Sequence, residues 1–113
     1  MSDVRVGLVG LGYWGPNLAR NFDHLAELAW LCDVDEANRT SFGDRYPRAR
    51  TTADIADLLA DPELDAVVVA TPVPTHYALA KQALEAGKHV LVEKPPAMKG
   101  AEMDELVRIA TER

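Results

Sequence analysis

Val4-Arg5-Val6-Gly7-Leu8-Val9-Gly10-Leu11-Gly12-Tyr13-Trp14-Gly15-Pro16 is the stretch on which the fold of this chain turns. Val4 to Val9 is a short, valine-rich run that reads as a strand, and it breaks into a turn with glycine at 10, 12 and 15. Pro16, whose φ is already near the helical value, predicts a helix that starts there and runs to about Leu25. Strand, G-x-G-x-x-G turn and helix in immediate succession make an arrangement suited to a diphosphate. Gly10 permits the tight turn, Gly12 lets the backbone approach the phosphates, and Gly15 lets helix and strand pack closely. The N–H groups at the helix start, backed by aligned peptide dipoles, favour an anion by up to about 2 kcal/mol.

A glycine pattern by itself is a weak signal, and its sequence context strengthens it. The apolar run Ala29 to Cys32 reads as a second strand that ends at Asp33, about 20 residues beyond the glycines, as a dinucleotide fingerprint requires. A carboxylate there accepts hydrogen bonds from the paired hydroxyls of an adenosine ribose and repels a 2′-phosphate, which favours NAD over NADP. Asp35 is expected to cap the next helix rather than to act as a second ribose ligand. Tyr13 and Trp14 are candidates to cover the cofactor from within the turn, with packing against a neighbouring segment as the competing role.

The same alternation continues to the end of the chain. A helix from Asp35 toward Tyr46 is stopped by Pro47, Arg48 to Thr51 has room for a short third strand, and Asp54 opens a brief helix. Ala66 to Ala70 is a continuous β-branched run of the kind buried on both faces of a parallel sheet. Thr71, Pro72 and Pro74 end it, and Thr75 is expected to cap a helix carrying Ala78, Leu79, Ala83 and Leu84, closed by Gly87. His89 to Val92 reads as a fifth strand. Beyond Pro95 and Pro96, the spacing of Met103, Leu106, Val107 and Ala110 predicts a final amphipathic helix. These elements predict an α/β fold: a doubly wound parallel sheet of Rossmann type, forming one domain over residues 1–113.

Composition narrows the function classes. The chain has 113 residues, 48% of them apolar, and a formal net charge of -6. With no basic patch to displace counterions, nucleic acid is not an expected partner. No apolar stretch approaches the roughly 18 residues of a membrane span, so no membrane association is expected and the cytoplasm is the expected location. The single cysteine, Cys32, excludes an internal disulfide and a multi-cysteine metal site, and no metal is expected. Lying in an apolar run, Cys32 reads as a buried, inert thiol.

A later stretch carries a more specific signal. Thr71-Pro72-Val73-Pro74-Thr75-His76, then Ala83-Leu84-Glu85-Ala86-Gly87-Lys88-His89-Val90, then Glu93-Lys94-Pro95, closely resembles the glucose-fructose oxidoreductase, inositol dehydrogenase and rhizopine-catabolism family, Gfo/Idh/MocA. The resemblance covers essentially the whole chain. It implies a dehydrogenase that passes hydride between nicotinamide and a hydroxyl-bearing carbon of a sugar or cyclitol. By this resemblance Lys94 is the catalytic residue that touches the reacting hydroxyl, where an ammonium stabilises a developing alkoxide and steers its proton. Glu93 and Pro95 match the positions that orient the lysine and approach the nicotinamide ribose, and Thr71, Pro72 and His76 match the lining of the nicotinamide half of the cleft. For His76 a structural role at the helix start competes with cofactor contact.

Gly12-Tyr13-Trp14-Gly15-Pro16-Asn17 looks most like members that oxidise the 3-hydroxyl of nucleotide-linked amino sugars or uronates. Family members continue into an α/β domain with a large open sheet, which supplies most substrate contacts, the usual acid/base histidine and the subunit contacts. That domain is expected to be absent here, so the expectation for the isolated chain is weak cofactor binding, little turnover and an exposed sheet edge. Two other readings stay open: a stand-alone NAD/NADH-sensing module without catalysis, and a methyltransferase-like domain, which has no use for Glu93-Lys94-Pro95.

Overall fold

The computed structural model describes residues 4–12, 15–92 and 100–112. Five strands, β1 (Arg5–Val9), β2 (Glu27–Cys32), β3 (Arg50–Thr52), β4 (Ala66–Val69) and β5 (His89–Val92), alternate with helices α1 (Gly15–Leu25), α2 (Glu36–Arg45), α3 (Ile55–Leu59), α4 (His76–Glu85) and α5 (Gly100–Glu112). The strands form one sheet in the order β3-β2-β1-β4-β5, with every neighbouring pair parallel. The order reverses between β1 and β4, so the carboxyl ends of those two strands bound a crevice.

Helices cover both faces, and the apolar residues sort accordingly. Leu8, Leu31 and Val68 pack with Ala19 of α1 and Phe42 of α2 on one face. Val9, Trp30, Val67 and Val69 pack with Leu58 of α3 and Ala83 of α4 on the other. This explains the uninterrupted apolar runs, since a strand covered on both sides has no solvent face to alternate toward. Each fully buried aliphatic side chain contributes about 1.5–3 kcal/mol. α5 docks on α4 through Ala80 and Leu106. Tyr77 donates a hydrogen bond to Glu105, whose carboxylate also lies 3.1 Å from Lys81 Nζ.

β2 begins two residues earlier than its apolar run suggests. Glu27 N donates to Val4 O at 2.9 Å, and the Glu27 carboxylate lies 2.5 Å from Arg5 Nε, so cross-strand pairing extends the strand past its apolar part. A register shift between Val6 and Gly7 places Gly7 opposite Trp30, skipping Ala29. Trp30 Nε1 in turn donates to Asp61 Oδ2 at 2.9 Å, and Lys88 Nζ donates to Asp61 O at 2.8 Å. No described helix is long and apolar enough to cross a membrane.

Candidate functional site

The turn after β1 is held at the crevice by both neighbouring strands. Gly10 N donates to Cys32 O at the end of β2, and Ala70 N donates to Val9 O from the end of β4, both at 2.8 Å. Gly10 sits at φ +97°, and a Cβ built there would lie 2.8 Å from Ala70 C and Thr71 N. Backbone atoms at that distance cannot yield, so only glycine fits. Among the described residues a Cβ at Gly12 would meet nothing within 4 Å, leaving open space above the backbone there. Gly15 is the first residue of α1. Tyr13 and Trp14 lie outside the described residues.

Asp33 is bound to that turn. Its Oδ2 accepts from Leu11 N at 2.9 Å and from Asn38 Nδ2 at 3.1 Å, while Oδ1 accepts from Asp35 N at 2.8 Å. The carboxylate at the end of β2 and the glycine turn after β1 therefore form one hydrogen-bonded unit. A carboxylate offers about four lone-pair sites, so capacity remains for a ligand hydroxyl. Asp35 acts as the cap of α2, with Oδ1 accepting from Ala37 N at 2.8 Å and Asn38 N at 3.4 Å. Sequence reasoning missed Asn38 and Arg39. Arg39 NH1 donates to Asp33 O at 2.9 Å and to Val34 O at 3.0 Å, clamping the segment that presents the acid. Their one sequence signal is a place in the first turns of the helix that Asp35 opens.

The opposite wall is the β4–α4 connection. Thr71 and Pro72 follow β4, a short 3-10 turn spans Val73–Thr75, and His76 starts α4. His76 is 1% exposed, and its Nε2 lies 2.6 Å from Thr71 O. Thr75 occupies the N-cap position but makes no side-chain cap hydrogen bond. The preceding turn already gives Thr75 helical backbone angles, so its hydroxyl folds back to Pro72 O at 2.6 Å instead.

Between these walls lies an open cleft of about 1120 Å³, large beside the 300–1,000 Å³ of ordinary small-molecule sites. Gly10, Gly12 and Asp33 line it together with Thr71, Pro72 and His76. Cys32 sits on its floor at 4% exposure; burial, reinforced by the nearby Asp33 carboxylate, pushes its thiol from the ordinary 9.0 to about 11. Glu93, Lys94 and Pro95 lie outside the described residues, but Val92, which precedes them, pairs with Val69 at the carboxyl edge of β4. Among the described residues no group of three or more His, Cys, Asp or Glu is placed to hold a metal ion.

The glycine turn, the acid tied to it and the open cleft fit an elongated, doubly ribosylated diphosphate. Comparison with known proteins agrees. The pattern of the oxidoreductase family with NAD-binding Rossmann fold, Gfo/Idh/MocA, matches residues 4–113. UDP-N-acetylglucosamine 3-dehydrogenase of Acidithiobacillus ferrooxidans is 36% identical over 113 residues, covering 100% of this chain and 35% of the relative. Among solved structures, GenD2 from gentamicin A biosynthesis, in complex with NAD, superposes with a TM-score of 0.93 at 35% identity, over 99% of this chain and 32% of that one. Biliverdin reductase from Synechocystis sp. PCC 6803, in complex with biliverdin and NADP+, superposes with a TM-score of 0.91 at 37% identity, over 98% and 35%. The chain thus spans about a third of the length of the proteins it matches. It belongs to the Gfo/Idh/MocA oxidoreductase family, and its fold is that family's NAD-binding Rossmann fold.

Proposed function

We propose that residues 1–113 form the cofactor-binding domain of an NAD-dependent dehydrogenase acting on a hydroxyl-bearing carbon of a sugar or cyclitol. The observation that carries this reading is the hydrogen bond from Leu11 N to Asp33 Oδ2, which puts the glycine turn and the strand-end acid on one side of the sheet, facing one cleft. The amides of the turn hold the diphosphate, and Asp33 accepts from the adenosine ribose. Its negative charge disfavours a 2′-phosphate, so NAD is the preferred dinucleotide over NADP. NAD, when bound, supplies the hydride acceptor. Lys94, which follows β5 in the sequence, holds the substrate hydroxyl and, as an ammonium, stabilises the developing alkoxide, with Glu93 and Pro95 orienting it.

The substrate class rests on likeness. The Gly12 to Asn17 turn and the similarity to a UDP-N-acetylglucosamine 3-dehydrogenase favour the 3-hydroxyl of a nucleotide-linked amino sugar or uronate. Substrate has to be held about 3–3.5 Å from the nicotinamide, which needs a further wall beyond the described cleft.

The test is titration calorimetry of the chain with NAD and NADP, for wild type and Asp33→Ser. Wild type is expected to prefer NAD, and Asp33→Ser to weaken NAD binding by about tenfold and narrow the preference. Absence of dinucleotide binding at millimolar concentration would refute the reading.

A further inference from the structure

The β4–α4 connection contains more internal hydrogen bonding than a strand-to-helix turn needs, with a buried imidazole at its centre. His76 Nε2 lies 2.6 Å from Thr71 O, five residues back. A carbonyl only accepts, so Nε2 carries the proton and the ring donates. Thr75 N donates to Pro72 O at 2.9 Å. Thr75 Oγ1 lies 2.6 Å from Pro72 O and 2.5 Å from Thr71 Oγ1. The Thr75 hydroxyl has one proton, and Pro72 O can only receive it. The proton between the two threonines is therefore that of Thr71, whose oxygen keeps its lone pairs. Thr71, Pro72 and Thr75 all line the cleft, and Pro72 has no N–H, so this wall presents acceptors.

Strand order fixes what those acceptors meet. If Asp33 at the end of β2 takes the adenosine ribose and the turn after β1 takes the diphosphate, the other end of the dinucleotide falls over β4. The polar hydrogens of that end belong to the hydroxyls of the second ribose and, farthest from the diphosphate, to the carboxamide of nicotinamide. We infer that His76 is a positioning residue: its buried Nε2–H holds the Thr71 carbonyl and so sets the Thr71 hydroxyl oxygen as an acceptor for the nicotinamide carboxamide. This rests on the dinucleotide reading of the cleft. With its ring 1% exposed and Nε2 engaged inward, His76 acts through Thr71.

The experiment compares NADH with ADP-ribose, which lacks only the nicotinamide, as calorimetric ligands of the chain in wild type, His76→Leu and His76→Gln, each with a thermal melt. His76→Leu is expected to weaken NADH about fivefold, the worth of one hydrogen bond, and ADP-ribose by less than about twofold. His76→Gln, whose amide N–H replaces the donor, is expected to restore NADH affinity. Equal losses on both ligands, or no loss on either, would overturn the inference, as would equal wild-type affinities for the two ligands. If His76→Leu does not fold, His76→Gln decides: a folded protein with the wild-type ratio of affinities supports the role, and any other result overturns it. A wild type that binds neither ligand sinks the dinucleotide reading and this inference with it, whereas binding of ADP-ribose without a nicotinamide contribution sinks the inference alone.

Discussion

Replacing Gly10 and Gly12 separately by alanine should divide stability from binding, because the two glycines face different surroundings. At Gly10 an added methyl must sit at φ +97° and 2.8 Å from Ala70 C and Thr71 N. The left-handed conformation costs a non-glycine residue about 1–2 kcal/mol, and forcing a methyl against packed backbone adds about 1–3 kcal/mol. The sum, about 2–5 kcal/mol, is a large share of a small domain's stability and corresponds to a fall of about 8–20 °C in Tm. At Gly12 the methyl meets nothing within 4 Å among the described residues, so Tm should move by no more than the effect of an ordinary surface change, about 0.5 kcal/mol. That methyl nevertheless stands where the diphosphate has to touch the backbone, and NAD affinity should drop at least tenfold, about 1.4 kcal/mol. Thermal melts and NAD calorimetry on the two variants make the comparison. A Gly10→Ala protein melting within about 2 °C of wild type, or a Gly12→Ala protein binding NAD as wild type does, would refute the reasoning.

Two further outcomes follow from titrating groups. The Cys32 thiol stays protonated in the folded chain up to about 11 but ionises near 9.0 when unfolded, so the unfolded state releases a proton that the folded state keeps. Stability should fall as pH rises from 9 toward 11, Cys32→Ser should flatten that fall, and thiol reagents at pH 8 should label Cys32 only in denaturant. The Glu105 carboxyl is held below its ordinary 4.5, chiefly by the Tyr77 hydroxyl and then by Lys81, so its stabilising contribution is present above 4.5 and is lost as pH drops through its folded value. Glu105→Gln should loosen α5 from α4, seen as faster amide exchange in α5, and should remove that part of the acid sensitivity.

Local chemistry made much of the architecture legible. Gly87 closes α4 at φ +80°, Asp35 and Asp54 cap α2 and α3, and the doubly covered strands show as continuous apolar runs. Element ends were less legible where partners far along the chain decide them. β2 reaches back to Glu27 because Val4 and Arg5 pair with it, and β3 lies at Arg50–Thr52 rather than at Arg48 to Thr51 because it follows the register of β2. Thr75 was expected to cap a helix by its residue type, yet the turn before it already held a helical backbone, which left its hydroxyl to Pro72 O.

The order of residues alone determined that strands and helices alternate, that a glycine turn follows the first strand, and that an acid closes the second, because those features depend on periodicity, backbone freedom and charge within a few neighbours. Only the folded arrangement decided that the Asp33 carboxylate bonds to the backbone of the glycine turn, that Arg39 clamps the acid's own segment, and that His76 is buried against Thr71. Those contacts form only when the parallel sheet brings the carboxyl ends of β1, β2 and β4 side by side. Strand order is set by packing across the whole domain, which no local pattern encodes.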